Sequence, residues 1–228
     1  MKNYTVIIVA AGNSSRFKQK NNKLLYQIND SNTVIEETLA LFLGDPFCTE
    51  IIVGVNDEIL NFLLKKNYQD QRLQFVLGGL ERVDTIHHCL TNHKIKNEMV
   101  MIHDGVRCFV SLDFINKLNQ TFYKENYEVL IPMLPITETL KKVNHCFVEK
   151  TINRDEYFTI QTPQVFKTAL LYNVYDEYFR TKNKKIIYDD SYLVELFAKN
   201  TKIHTILGEK QNIKITYFDD LKLLNLGK

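Results

Sequence analysis

Short apolar runs alternate with amphipathic segments along most of the chain. The run from Thr5 to Ala10 is continuously apolar and rich in β-branched residues, which is typical of a strand buried on both faces of a parallel sheet. Further strands are predicted at residues 50–55, 73–77, 99–103, 129–132 and 202–207, and helices at 33–42, 58–65, 81–91, 111–124, 168–178, 190–198 and from about 218. This alternation predicts right-handed βαβ units and therefore an α/β fold with a doubly wound, mostly parallel sheet.

Residues 135–160 interrupt the alternation. Two extended stretches, 139–143 and 146–152, flank a turn predicted at Asn144 and His145, so we expect a β-hairpin. A two-stranded hairpin inserted into an α/β domain needs a partner to cover it. The sequence therefore predicts a single domain over residues 1–228, from which residues 135–160 project as an arm.

Composition narrows the class of protein. The 228 residues are 45% hydrophobic and 25% charged, and the net charge of +2 gives no indication of a nucleic-acid-binding face. No apolar run approaches the ~20 residues of a membrane helix, and the run near the start is too short for a signal peptide. The four cysteines are scattered without CxxC pairing, which favours reduced thiols. We expect a cytoplasmic protein that binds neither nucleic acid nor a membrane.

The polar loop after the first strand has the chemistry of a phosphate site. Ala10, Ala11 and Gly12 let a ligand approach the backbone at the carboxyl end of the strand, where open α/β sheets bind ligands. Four cations follow within eight residues: Arg16, Lys18, Lys20 and Lys23. A triphosphate needs such neutralisation during phosphoryl transfer, although a polar loop with surface lysines is the alternative. Neither GxxxxGK[ST] nor GxGxxG is present.

Further polar residues follow two later strands. Asp104 ends the strand at 99–103, so its carboxylate should emerge at the ligand edge of the sheet, where it can position a substrate hydroxyl or a water of a magnesium shell. Arg107 suits a phosphate because its planar fork binds two oxygens, although a local ion pair with Asp104 is the alternative. Lys214 is predicted on a strand, where an inward lysine is costly unless it meets an anion; an exposed strand lysine is the alternative.

Six motifs in order resemble those of the sugar-phosphate nucleotidyltransferases and, more closely, the 2-C-methyl-D-erythritol 4-phosphate cytidylyltransferases. They are AAG-x-x-x-R followed seven residues on by a lysine (10–23), GGLER (78–82), HDGVR (103–107), TETLK (137–141), NRDEYFTIQTPQVF (153–166) and NIKIT (212–216). The resemblance covers essentially the whole chain. It implies a Rossmann-like nucleotidyltransferase fold, CTP and a sugar-alcohol phosphate as substrates, Mg²⁺ as cofactor, and a homodimer formed through the arm.

The resemblance also implies roles for the motif residues. It assigns catalysis to Arg16, Lys23 and Lys214, nucleotide binding to Ala10, Ala11, Gly12, Gly79, Thr85 and Asp104, and acceptor binding to Asp104, Arg107, Thr139, Arg154 and Thr162. Thr139 and Arg154, on or beside the arm, would contribute to the site of a neighbouring subunit. Magnesium would be held mainly by the CTP phosphates, so no direct metal ligand is assigned.

Other positions depart from the family or keep a structural interpretation. Tyr188-Asp189 replaces the Thr-Asp pair of the family, which leaves the substrate role of Asp189 in doubt, and an N-cap is expected for Asp189 or Asp190. Arg82 is interpreted as a surface residue of the helix predicted at 81–91, and His103 as structural.

Two alternatives stay open on the sequence. Ribitol 5-phosphate cytidylyltransferases resemble this chain nearly as well through QTPQ and NIKIT, although Thr139-Leu140-Lys141 is more similar to the methylerythritol phosphate enzymes. A non-catalytic nucleotide-binding relative with the same fold is the second alternative. The retained cations argue against it, because an inactive relative need not keep every one of them.

Overall fold

The computed structural model describes residues 1–14, 17, 21–182 and 185–225, and the side chains of all of these except 222–225. The strands are β1 (Tyr4–Ala10), β2 (Cys48–Val55), β3 (Leu73–Leu77), β4 (Met99–Asp104), β5 (Val129–Pro135), β6 (Leu140–Asn144), β7 (Phe147–Ile152), β8 (Phe158–Ile160), β9 (Gln164–Lys167) and β10 (Ile203–Leu207). The α-helices are α1 (Val34–Leu43), α2 (Asp57–Lys65), α3 (Arg82–Asn92), α4 (Leu112–Lys124), α5 (Thr168–Arg180), α6 (Asp190–Phe197) and α7 (Phe218–Asn225).

The main sheet has the order β10-β5-β9-β4-β1-β2-β3, with β8 paired to β5. The pairs β1–β2, β1–β4, β2–β3 and β5–β10 are parallel, whereas β8 and β9 run antiparallel to their neighbours. Successive residues of β1 enter two separate apolar cores, with Val6 and Ile8 in one and Ile7 in the other, so both faces of the sheet are covered. The predicted α/β class with a mostly parallel sheet is confirmed.

Strand β9 was not predicted, yet it lies in the middle of the sheet. All four of its residues pair with β4, Val165 and Phe166 also pair with β5, and Gln164, Val165 and Phe166 are buried. Four residues are too few for a hydrophobic period to be recognised, and the pairing depends on strands far away in sequence. This insertion brings Thr162 next to the end of β4.

The predicted hairpin is present as β6 and β7, which pair with each other in a sheet of their own. Its turn lies at His145 and Cys146, one residue later than predicted, and His145 adopts a positive φ of 53°. Apolar side chains on the hairpin are exposed, including Phe147 at 79% and Val148 at 60%.

The strand predicted around Lys214 is wrong. Residues 212–216 form an irregular segment that crosses the carboxyl edge of the sheet, where the Ile215 N–H donates to the Val106 carbonyl at 3.1 Å. Side-chain contacts fix this segment instead of a strand ladder: Asn212 Nδ2 donates to the Thr162 carbonyl at 2.8 Å. In the described part of the chain, no helix combines the length and apolar character needed to cross a membrane.

Candidate active site

Two cavities lie side by side at the carboxyl ends of β1, β4 and β3. The first, of about 260 Å³, is lined among others by Ala10, Ala11, Gly12, Lys23, Gly79 and Thr85. The second, of about 280 Å³, is lined by Arg107, Gln161, Thr162, Gln164, Tyr188 and Asp189, with Ile160. Arg82, Asp104 and Lys214 line both cavities. We call these three residues the shared wall.

Asp104 is the centre of the shared wall. Its Oδ2 lies 2.8 Å from Lys214 Nζ and 3.7 Å from Arg107 Nε, and its Oδ1 lies 3.1 Å from Arg82 Nε. Burial by itself would raise the pKa of the carboxyl, but attraction to Arg82 and Lys214 outweighs it and lowers the pKa well below its ordinary value. Asp104 is therefore ionised and faces three cations, which are Arg82 and Lys214 of the shared wall and Arg107 of the second cavity.

Arg82 is 24% exposed and is held between two carboxylates, which differs from the sequence-based interpretation as a surface residue. Its Nη1 lies 2.7 Å from Oδ2 of Asp190, whose side chain is fully buried. Burial disfavours the charged guanidinium, but Asp190 and Asp104 raise the pKa of Arg82 above its ordinary value. Position in the sequence gave no sign of this pairing, because Arg82 and Asp190 begin two different helices, α3 and α6.

His103 supports Asp104 from within the core. Its Nε2 lies 3.1 Å from the Arg107 carbonyl, which can only accept, so the proton is on Nε2 and Nδ1 accepts from the Thr162 hydroxyl at 3.1 Å. The same hydroxyl oxygen accepts the Asp104 N–H at 3.0 Å. Burial lowers the pKa of His103 to about 4, so the ring is neutral at pH 7. This agrees with the structural interpretation of His103, and it commits the hydroxyl of Thr162 to internal bonds.

Arg107 lines the second cavity and is held by backbone carbonyls. Nη1 donates to the Asn212 carbonyl at 2.8 Å and Nη2 to the Ile160 carbonyl at 3.3 Å. Burial lowers the pKa of Arg107, and its Nε, also buried, has no hydrogen-bond partner among the described residues. A phosphate in the second cavity would give this guanidinium the hydrogen-bond acceptor that its Nε lacks, beyond its longer contact of 3.7 Å with Asp104.

Lys23 reaches the shared wall from the loop after β1. Its Nζ donates to the carbonyl of Ile215 at 3.0 Å, next to Lys214. Asn22, only 6% exposed, positions it by donating to the Gly12 carbonyl at 3.0 Å and by accepting from Leu24 N at 3.1 Å. The predicted catalytic residue Arg16, together with Lys18 and Lys20, lies outside the described residues.

The turn at Gly78 and Gly79, which we call the glycine turn, closes the first cavity. The N–H of Gly79 donates to the Thr85 hydroxyl at 3.1 Å, which in turn donates to the Glu81 carbonyl at 3.1 Å. A Cβ on Gly78 would lie 2.4 Å from Ala11 Cβ, so only glycine permits this close approach. Thr85 lines the cavity, but its hydroxyl stabilises the turn.

The structure does not bring every predicted residue to the cavities of one chain. Thr139 and Arg154, both exposed, line neither cavity, and the Arg154 guanidinium donates to the Thr137 carbonyl. Asp189 is the N-cap of α6, because its Oδ1 accepts from Tyr192 N at 2.9 Å. Its other oxygen accepts from Gln164 Nε2 at 2.8 Å, so this carboxylate is committed to structure.

A mostly parallel α/β sheet with cationic side chains between two cavities at its carboxyl edge is the arrangement expected of a nucleotidyltransferase. A sequence profile described as IspD: 2-C-methyl-D-erythritol 4-phosphate cytidylyltransferase matches residues 4–226. The chain belongs to this family.

Similar proteins agree with this assignment. The 2-C-methyl-D-erythritol 4-phosphate cytidylyltransferase of Bacillus anthracis is 34% identical over 225 residues, which cover 96% of this chain and 94% of that protein. The corresponding enzyme of Clostridioides difficile is 32% identical over 99% of this chain and 95% of its own length. The crystal structure of 4-diphosphocytidyl-2C-methyl-D-erythritol synthase from Anaerococcus prevotii superposes with a TM-score of 0.83 at 29% identity and covers 99% of this chain and 96% of that one.

Proposed function

We propose that this protein transfers a cytidylyl group from CTP to 2-C-methyl-D-erythritol 4-phosphate, with release of pyrophosphate. The observation that carries the proposal is the shared wall of Arg82, Asp104 and Lys214 between two cavities, in a chain of this family. With one substrate in each cavity, the two reacting phosphates meet at this wall. The product would serve isoprenoid precursor synthesis.

The reaction is an in-line displacement. A phosphate oxygen of the acceptor forms a bond to the α-phosphorus of CTP, and the bond from that phosphorus to the oxygen of the β-phosphate breaks. Pyrophosphate takes the electron pair, and no covalent bond to the enzyme is formed. Catalysis then depends on positioning and on neutralising charge that develops on the α-phosphate.

The residues of the two cavities divide the task. Lys23 and Lys214 neutralise the triphosphate, together with Arg16 on the ground of the resemblance, and Ala10 to Gly12 with Gly79 form the nucleotide cavity. The guanidinium of Arg107 receives the acceptor phosphate in the second cavity. Asp104 positions the hydroxyls of the substrates. The hydroxyls of Thr162 and Thr85 act indirectly, because each is already hydrogen-bonded within the protein. Thr162 positions Asp104, and Thr85 stabilises the glycine turn.

Magnesium fits this site as a cofactor bound mainly by substrate. The described residues contain no cluster of three or more His, Cys, Asp or Glu side chains suited to hold a metal ion. Mg²⁺ commonly takes only one or two carboxylates and completes its shell with substrate phosphates and water, and Asp104 supplies one carboxylate at the right place. When bound, Mg²⁺ would neutralise phosphate charge. The protein would contribute the carboxylate of Asp104, which Arg82 and Thr162 hold in place.

The arm supports a homodimer in the cytoplasm. Val143, Phe147, Val148 and Phe158 are at least 41% exposed, and burying such a set of apolar side chains against a second copy is favourable. In that dimer Thr139 and Arg154 would complete the partner's second cavity. The four cysteines are free thiols, which suits a reducing compartment. Sedimentation should give a dimer for the wild type and a monomer for Phe147→Asp.

Pyrophosphate release tests the function. Purified protein is incubated with CTP and either methylerythritol phosphate or ribitol 5-phosphate, with and without Mg²⁺. We expect release with methylerythritol phosphate and Mg²⁺. Release with ribitol 5-phosphate alone would reassign the acceptor, and no release with either alcohol would indicate a non-catalytic relative. Replacing CTP by UTP tests the base, since only the cytidine nucleotide should support turnover.

A further inference from the structure

Asp190 is a fully buried carboxylate with no part in the reaction described above. Its Oδ1 accepts from the Tyr175 hydroxyl at 2.7 Å, and its Oδ2 lies 2.7 Å from Arg82 Nη1. Removing such a charge from water costs several kcal/mol, and a well-packed apolar pair of similar volume is often as stable. The position of Asp190 therefore calls for a reason other than stability.

Arg82 links Asp190 to the shared wall. The same guanidinium that pairs with Asp190 through Nη1 contacts Oδ1 of Asp104 through Nε at 3.1 Å. Arg82 is the first residue of α3, where the helix dipole disfavours a cation, so the guanidinium depends on these two carboxylates. One side chain thus connects the start of α6 to the carboxyl end of β4.

The orientation of this guanidinium controls what Asp104 can bind. Only Nε is directed at Asp104, and the buried Nη2 has no hydrogen-bond partner in the described part of the chain. A guanidinium that is free to turn prefers to grip a carboxylate with two N–H groups. If Arg82 turned in this way, it would occupy Oδ2 of Asp104, which now faces Lys214 at 2.8 Å.

We propose that Asp190 is a positioning residue that fixes Arg82 in its one-sided contact and thereby leaves Asp104 Oδ2 free to hold Lys214 beside the reacting phosphates. The inference rests on the proposed cytidylyl transfer. Tyr175 serves the same purpose, because its hydroxyl orients the Asp190 carboxylate. The neighbouring Asp189 does not share this role, because the N-cap and Gln164 occupy its two oxygens.

Asp190→Asn is the direct test, since it removes the charge and keeps the shape. We expect kcat to fall about 10- to 100-fold while the KM for CTP changes less than about threefold, because the loss concerns the reacting centre and not nucleotide binding. Asp176→Asn is the matched control: it removes an exposed carboxylate of α5 that pairs with Arg180 at 2.6 Å, and it should leave kcat unchanged. A fall in thermal stability with an unchanged kcat for Asp190→Asn would overturn the proposal.

A double-mutant cycle tests whether Asp190 acts through Arg82. In an Arg82→Gln background, Asp190→Asn should lower kcat by less than about twofold further, whereas independent roles would make the two losses multiply and would overturn the proposal. Tyr175→Phe, which keeps both charges, provides a milder second variant, with an expected loss in kcat of about two- to fivefold.

A spectroscopic readout separates this inference from the proposed function. The side-chain ¹⁵Nε–¹H resonance of Arg82 should shift in Asp190→Asn and stay in place in Asp176→Asn. This measurement needs no turnover, so it tests the positioning of Arg82 even if the wild type transfers no cytidylyl group. An unchanged resonance in Asp190→Asn would contradict the proposed positioning whatever the activity.

Discussion

The Nζ atom of Lys214 lies 2.8 Å from Oδ2 of Asp104, yet the two side chains differ strongly in exposure, at 40% for the lysine and 8% for the aspartate. The lysine can therefore leave the pair for an incoming phosphate, while the carboxylate stays fixed by Arg82 and by its own backbone contact to Thr162. Without substrate, the ammonium group of Lys214 therefore pairs with Asp104, and a substrate phosphate would take the place of this carboxylate.

Lys214→Ala should lower kcat by roughly 10²-fold, the scale seen when a contact to developing transition-state charge is removed. Steady-state pyrophosphate release measures the effect. Lys210→Ala, which removes an exposed lysine a few residues earlier, is the control and should behave as the wild type. A Lys214→Ala enzyme with normal turnover would remove this residue from the catalytic set.

Asp104→Asn should bind pyrophosphate more tightly in the absence of metal while losing activity. The substitution removes the anion that now compensates Arg82, Lys214 and Arg107, so an added anion meets less repulsion, and we expect about a 10-fold gain in affinity. Titration calorimetry without Mg²⁺ measures this change. Asp113→Asn, at an exposed site in the first turn of α4, changes the net charge equally and should have no effect. Weaker binding by Asp104→Asn would contradict the charge balance described for the shared wall.

Stability should fall as the pH drops from about 6.5 to about 4. Burial lowers the pKa of His103 to about 4. Between pH 6.5 and pH 4 the imidazole is therefore protonated in the unfolded chain but neutral in the native protein. Unfolding is thereby favoured at lower pH, and the contribution reaches about 3 kcal/mol at the acid end of the window. Urea titrations at several pH values should show a shallower pH dependence for His103→Gln than for the wild type, and equal slopes would argue against a buried neutral His103.

Gly78→Ala and Gly12→Ala should behave differently. An added Cβ on Gly78 would lie 2.4 Å from Ala11 Cβ and 2.7 Å from Thr85 Oγ1, which we expect to cost about 1–3 kcal/mol and to distort the nucleotide cavity. At Gly12 no heavy atom of the described residues lies within 4 Å of the new Cβ, so the melting temperature should not change while CTP binding weakens. Calorimetric melting together with CTP titration distinguishes the two; a stable Gly78→Ala would show that the turn can adjust.

Much of the fold could be predicted because its signals are local. The apolar runs of β1 and β4 mark strands buried on both faces, and the helices between strands carry periodic apolar positions. Asp104 was expected at the sheet edge because it directly follows such a run. The family was recognisable for a related reason, since its six motifs are short continuous strings.

The α/β class and the family follow from the sequence alone, and so does the prediction of Lys23, Asp104, Arg107 and Lys214 as site residues. The partners of these side chains, and the place of Arg82 and Asp190 beside them, depend on the tertiary structure. The antiparallel insertion of β9 brings Thr162 to His103 and Asp104, and the starts of α3 and α6 bring Arg82 to Asp190. The tertiary structure also places Lys214 on an irregular segment that Asn212 fixes by a side-chain hydrogen bond. The physical reason is that hydrophobic periodicity and helix caps act over a few residues, whereas ion pairs between buried side chains form only where the packed elements meet.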